Sequence, residues 1–255
     1  MNASPVIARV RHELRRRRLT VARVETRPAG MKRIVLRGDD LAGFTSSGFD
    51  DHVKLFFPDG AGGQLMRDFT PRRYDPARGE LWIDFFLHGT GPAASWARDA
   101  GIGVKLEVGG PKGSTLIDAN SIDTHLLIGD ETALPAIERR LEELNPGARA
   151  IVVIELDAAS RLPAFVSDAA LEVAYLRRER HAAQPSRALL STVRNLRLPP
   201  SGCFAWVAHE GQMARAIRAC LHEEKGLDEK WIKASAYWWR GLGGADTGQL
   251  PANVA

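Results

Sequence analysis

Only two cysteines occur in 255 residues, and Cys203 and Cys220 stand neither in a CxxC pair nor among histidines, which argues against an iron–sulfur cluster, a structural zinc or a disulfide scaffold. Cys220 falls at helical spacing from Met213 and Ile217, a core position. Long apolar runs are missing too: none reaches bilayer length, and the N-terminus lacks the apolar stretch of a secretory signal. The chain therefore reads as cytoplasmic, with no membrane insertion. There is no Walker loop, no HExxH and no Ser-His-Asp set around a GxSxG turn, so kinase and hydrolase chemistry find no support. Charge of one sign is scarce: 35 basic against 31 acidic residues leave +4, which gives no reason to expect a nucleic-acid partner. The surplus gathers in six arginines between Arg9 and Arg18, read as a solvated segment packed on the first domain.

What is present is an ordinary globular composition, 44% apolar and 26% charged, in two grammars. From Leu19 to about Leu116 short strands (Leu19–Val24, Lys32–Leu36, His52–Phe57, Leu81–Leu87, Val104–Val108) are interrupted by one short helix, Pro92–Ala100, which predicts a small antiparallel β barrel. From Thr124 onward buried strands (Leu126–Ile128, Ala150–Leu156, Leu171–Leu176, Phe204–Val207) alternate with amphipathic helices, which predicts an α/β parallel sheet. One of those helices carries Leu134, Ile137, Leu141 and Leu144 on one face. The expected domains are 1–120 and 121–255, with the C-terminal segment returning to a cleft between them.

Three motifs in the first half can hold a flavin. In Met66-Arg67-Asp68-Phe69-Thr70-Pro71 a guanidinium, an aromatic ring and a hydroxyl share one strand, offering charge, apolar cover and a hydrogen bond to an isoalloxazine; a plain strand ending at a proline is the alternative. In His88-Gly89-Thr90-Gly91-Pro92-Ala93-Ala94-Ser95-Trp96 a glycine turn opens a helix, whose first N–H groups suit a phosphate. The loop Gly109-Gly110-Pro111-Lys112-Gly113-Ser114 follows the last barrel strand and can close over a cofactor, or serve only as a turn. In the second half Ile128-Gly129-Asp130-Glu131-Thr132-Ala133-Leu134-Pro135 runs from strand through turn into helix, with Thr132 expected as the cap and Pro135 tolerated in the first turn. It lacks GxGxxG, so a Rossmann fingerprint is not met. After the next strand, Asp157 suits a free ribose hydroxyl, while Ser160 and Arg161 suit a 2′-phosphate; a solvated arginine in a loop is equally compatible.

With Ala236-Tyr237-Trp238-Trp239-Arg240-Gly241 near the end, this series resembles the siderophore-interacting proteins over almost the whole chain. The resemblance implies a ferredoxin-reductase-like, FAD-binding antiparallel barrel followed by a parallel-sheet nucleotide-binding domain. It implies a reaction in which NADPH, or NADH, gives hydride to FAD and single electrons pass to Fe(III) held by a siderophore, releasing Fe(II). It assigns Arg67, Phe69, Thr70, Asp84, His88, Gly91, Pro92, Ala93, Ser95, Trp96, Gly113 and Ser114 to the flavin. Asp130, Glu131, Thr132, Ala133 and Arg161 fall to the nicotinamide nucleotide. Lys54, Lys233 and Arg240 are the candidates to receive the ferric chelate, with Lys233 preferred to Arg240 because alternation sets them on opposite faces. Two departures stand out: Phe69 where the family commonly has Tyr, and His209, within Ala205-Trp206-Val207-Ala208-His209-Glu210, where Gly is common. His209 is expected either to narrow the nucleotide cleft or to face solvent. Two rivals share the pattern: a reductase whose acceptor is a ferredoxin, flavodoxin, free flavin or quinone, and a non-catalytic siderophore-binding protein.

Overall fold

The computed structural model describes residues 5–59, 62–178 and 186–240. These fall into two compact units, residues 8–116 and residues 117–240 with 5–7.

In the first unit β1 (Ile7–Arg11) pairs with β9 (Gly113–Ile117). Between them run β2 (Arg16–Thr26), β3 (Met31–Arg37), β4 (Val53–Pro58), β5 (Gln64–Phe69), β6 (Pro71–Asp75), β7 (Glu80–Phe86), the helix α1 (Pro92–Asp99) and β8 (Lys105–Gly109). Seven of these strands form one antiparallel sheet in the order β5-β4-β8-β2-β3-β7-β6. Its two edge strands, β5 and β6, are consecutive in the chain with Thr70 alone between them. One residue spans only about 3.5 Å, so the sheet must curl until its edges meet, and Thr70 lies on the seam. Pro71, which has no N–H to give a ladder, opens the edge strand β6, where a proline is tolerated. The core alternates along the strands as the pleat requires: Leu19 and Val21, Ile34 and Leu36, Val53, Leu55 and Phe57, Leu81, Ile83 and Phe85 are all buried.

Five of the six clustered arginines are exposed, as a solvated segment packed on the domain requires, and Arg17 is the exception. Arg16 to Arg18 belong to β2, in the middle of the sheet. The pleat sends Arg17 inward, where it is 4% exposed. Arg16 stacks on Phe56.

The second unit has β10 (Thr124–Asp130), α2 (Leu134–Glu142), β11 (Arg149–Asp157), β12 (Ala170–Arg178), α3 (Arg187–Asn195), β13 (Cys203–Glu210), α4 (Gly211–Ala219) and β14 (Ile232–Trp238). All five strands are parallel, in the order β12-β11-β10-β13-β14. Every residue of β10 and β13 is buried, as expected for strands covered on both faces. Leu189 and Val193 of α3 and Met213, Ala214 and Ile217 of α4 pack with Leu126, Ile128, Ile151, Val153 and Val207. Cys220 joins this core at 2% exposure; it opens a π turn, Cys220–Glu224, directly after α4.

Candidate functional site

Sheet order places the second unit's site. The chain leaves β10 for β11 on one side and reaches β13 on the other, and ligands of open α/β sheets bind at such a reversal, beyond the carboxyl ends of the strands. Here those ends are Gly129–Asp130 and His209–Glu210. Gly129 is required by packing: a Cβ there would lie 2.3 Å from the Ala133 Cβ and 2.9 Å from the Ala208 carbonyl oxygen.

Thr132 does not cap the turn. The Asp130 carboxylate accepts from the Thr132 N–H (2.9 Å) and from its hydroxyl (2.5 Å), and α2 itself has no side-chain cap. With its proton committed to Asp130, the Thr132 oxygen offers a ligand only lone pairs. Ala133 is fully buried under the turn. The neighbouring acids are buried and engaged. Asp130 also accepts from the Trp238 indole at 2.7 Å. Glu131, 0% exposed, accepts from the Asp157 N–H and pairs with Arg178; burial outweighs Arg178 and raises its pKa. Glu210 caps α4 through the N–H groups of Gln212 and Met213.

His209 does not face solvent. At 3% exposure it lies between Asp130 (Nδ1 to Oδ2, 3.6 Å) and Glu155 (Nε2 to Oε2, 3.5 Å). Burial opposes a charge on the ring, but the two carboxylates prevail and raise its pKa. Burial likewise works against the Glu155 charge, and His209 with Arg178 overrides it, bringing the carboxyl to about 2. His209 Nε2, Glu155 Oε1 and Trp239 Nε1 are buried without hydrogen-bond partners. Such atoms are costly unless a ligand or water completes them. Trp239 lies against Gly211, where a Cβ would meet its ring at 2.5 Å. Beyond β11, Asp157 turns its carboxylate onto the Ala159 N–H, and Arg161 is exposed.

In the first unit, Thr70 is 7% exposed at the seam, and the half-buried Arg67 donates to the Met66 carbonyl oxygen at 2.7 Å. Thr70 is thus outside the strand that carries Arg67 and Phe69. Phe69 is part of an aromatic wall: its ring centroid lies 4.5 Å from Phe85 and 6.4 Å from Phe57, and Trp96 is 5.6 Å from Phe85. The wall leads along β7 to His88, exposed and against the Phe86 ring, and to the start of α1. That helix opens at Gly91 with Pro92 in its first turn, without a side-chain cap and without an acidic residue in that turn. A Cβ on Gly91 would meet nothing within 4 Å, so the free N–H groups of Ala93 and Ala94 can be approached. Ser95 donates to the Thr90 carbonyl oxygen at 3.3 Å.

Two expected flavin contacts are otherwise engaged. Asp84 and Arg33, 7% and 5% exposed, form a bidentate cross-strand pair at 2.7 Å for both bonds. Gly113 and Ser114 belong to β9, not to a loop; the Ser114 hydroxyl donates to Asp51 (2.6 Å) and accepts from the Ser47 N–H (3.2 Å). Among the cations, Lys54 is paired with Asp68 at 2.9 Å. Lys112, which the sequence reading passed over as part of a turn, is exposed and lies three residues beyond Gly109, the cross-strand partner of Lys54. Lys233 is half-buried on β14. Arg240 lies past the strand, its N–H directed at Glu210; Gly241 and the expected return of the C-terminal segment fall outside the described residues.

No helix among the described residues is long and apolar enough to cross a membrane. The described residues include no group of three or more His, Cys, Asp or Glu suited to a metal ion.

The sequence matches the family model of the siderophore-interacting FAD-binding domain over residues 20–65 and 60–115, and that of the siderophore-interacting protein over residues 122–241. It is 36% identical over 253 residues to an NADPH-dependent ferric-chelate reductase of Escherichia coli, covering 90% of this chain and 95% of that protein. It is 32% identical over 231 residues to the ferric vibriobactin reductase ViuB of Vibrio cholerae, covering 82% and 84%. A siderophore utilization protein from T. fusca superposes with a TM-score of 0.86 at 31% identity, over 94% of this chain and 99% of that one.

Proposed function

Because the chain belongs to the siderophore-interacting protein family, we propose that it is an NADPH-dependent, FAD-containing reductase of ferric siderophores. The observation that carries the proposal is the uncapped, glycine-opened start of α1 at the end of β7, beside an aromatic wall. That arrangement fits FAD: phosphate oxygens can take the free N–H groups of the first turn, with His88 and Ser95 close in sequence. Phe69 and Trp96 offer apolar cover, and Arg67 and Thr70 offer positive charge and a hydroxyl. Asp84 then supports the site through Arg33 and does not itself touch the flavin.

FAD, when bound, accepts a hydride and passes electrons on singly, which matches a two-electron donor to Fe(III). The chain's own residues orient and tune. The Thr132 oxygen, its O–H directed at Asp130, keeps lone pairs that accept from the nicotinamide carboxamide or a ribose hydroxyl. The buried carboxylates around it disfavour a phosphate, so the nucleotide phosphates lie away from Asp130 and Glu131. Arg161 reads the 2′-phosphate. Lys54 and Lys112 in the first unit, and separately Lys233 in the second, each offer a cation to an anionic ferric chelate, and Lys54 does so while sharing its charge with Asp68. NADPH as donor and two free buried cysteines fit the reducing cytoplasm.

Anaerobic stopped-flow mixing tests the reading. NADPH should bleach the protein-bound flavin, and a ferric siderophore should restore its colour. Lys54→Ala and Lys233→Ala should each slow only the second phase for an anionic chelate, most at low salt. Arg161→Ala should weaken NADPH by roughly tenfold or more and leave NADH unchanged. Protein that cannot bind FAD would overturn the proposal, and bleaching without reoxidation by any ferric chelate would assign another acceptor.

A further inference from the structure

The first unit holds a cavity of about 290 Å³ lined by Arg11, His12, Glu13, Arg15, Arg17 and Thr45, together with the Gly110 backbone. None of these residues is among those proposed for FAD or the chelate. Arg17 is 4% exposed, yet among the described residues no carboxylate lies within ion-pair distance of it. Its Nη1 donates to the carbonyl oxygens of Gly110 (2.9 Å) and Arg15 (3.2 Å), and its guanidinium lies 5.1 Å from the Phe44 ring centre. Its Nε–H is buried with no acceptor. A charge taken out of water costs several kcal/mol unless it is paired, and dipoles and a ring face only partly offset that. Burial and the neighbouring Arg15 both lower the Arg17 pKa, with Tyr74, Asp40 and Glu13 pulling the other way.

The other walls add charge of the same sign. Arg11 and Arg15 are exposed, and among the described residues the Arg15 side chain donates only to the Ala42 carbonyl oxygen, at 3.4 Å. His12 has a fixed tautomer. The Ser114 hydroxyl spends its proton on Asp51 at 2.6 Å, so it must accept at 2.8 Å from a protonated His12 Nε2. Three guanidiniums thus line one hollow whose single lining carboxylate is Glu13, while the His12 N–H is already given to Ser114. The forked N–H groups of arginine match the oxygens of carboxylates and phosphates.

We propose that this cavity is a binding site for a small multivalent oxyanion, a molecule bearing carboxylate or phosphate groups, whose negative charge completes the buried Arg17. It does not depend on the reductase reading, and the turnover of the enzyme is a separate measurement.

Calorimetric titration of the FAD-loaded protein with inorganic phosphate and, separately, with citrate tests it, with ionic strength held constant by chloride. Saturable binding of at least one of them is expected, and the tighter ligand assigns the group. Arg11→Ala and Arg15→Ala, both at exposed positions that leave Arg17 in place, should each weaken binding by roughly tenfold or more, with Arg15→Lys between. Flavin reduction by NADPH should be the same in all three variants. No saturable heat above the chloride control, or equal affinity in the parent and both alanine variants, would overturn the proposal and leave Arg17 as a clamp between β2 and the Gly110 turn.

Discussion

His125 makes the α/β unit sensitive to acid. It is 0% exposed on β10, and neither ring nitrogen makes a hydrogen bond. Burial, reinforced by the charge of Arg140 against a weaker pull from the Ala119 backbone, pushes its pKa down to about 3. In the unfolded chain the same imidazole titrates near 6.5. Because the folded value is the lower one, the unfolded state binds more protons throughout the interval between them. Stability is therefore intact above about pH 6.5 and is lost as pH falls toward 3. The deficit from this one group is about 2 kcal/mol at pH 5 and about 3 kcal/mol at pH 4. Urea denaturation followed by tryptophan fluorescence, on the parent and on His125→Leu at pH 7.5 and pH 5, isolates it. Carboxylates that also titrate are common to both proteins and cancel in the difference. The loss of stability between the two pH values should be smaller in the variant by about 2 kcal/mol. Equal losses in the two proteins would refute the reasoning, whatever the absolute effect of the substitution at neutral pH.

Arg33→Met strands the buried Asp84 carboxylate and should cost about 3–5 kcal/mol, whereas Arg33→Met with Asp84→Leu should recover most of it, as denaturation of both will show. Gly129→Ala forces Ala133 or the Ala208 carbonyl to move, so NADPH affinity should fall while FAD content, read from the absorbance spectrum, stays that of the parent. Thr132→Val removes the oxygen proposed to face the nucleotide and should slow flavin reduction by NADPH in stopped-flow without releasing flavin. Arg178→Met leaves Glu131 and Glu155 without their shared cation and should destabilise the protein by several kcal/mol near neutral pH, measured by urea denaturation.

The two grammars were readable because each rests on a short-range period. Leu81, Ile83 and Phe85 alternate, while Leu134, Ile137 and Leu141 recur at helical spacing, and the structure buries both sets. What escaped the sequence depends on partners far along the chain. Arg17 looked like one of six solvated arginines, since nothing local shows that β8 and β3 would flank its strand. Asp84 was assigned to the flavin through the resemblance, and nothing near it in the chain announces its pair with Arg33, 51 residues away. The Thr132 cap failed for a local reason instead: Asp130, two residues upstream, accepts from the Thr132 N–H and hydroxyl. Phe69 shows the limit in the other direction: its aromatic character was legible, but its place beside Phe57 and Phe85 follows from the curl of the sheet.

The one-residue passage through Thr70 has a consequence for how this fold tolerates change. Elsewhere in the barrel unit, turns between strands can lengthen, and the strands they join still pair. At Thr70 an inserted residue would slacken the shortest covalent link between the two sheet margins, and the cylinder would open along its length. A circular permutant opened at this peptide would keep every side chain and every strand, yet lose the covalent tie between the margins. Arg67 and Thr70, one on each side of that parting line or upon it, would no longer hold a common geometry. Sequence drift should therefore be freer in the turn between Asp75 and Glu80 than here, and a library of single-residue insertions scored by flavin retention should show its sharpest minimum at position 70.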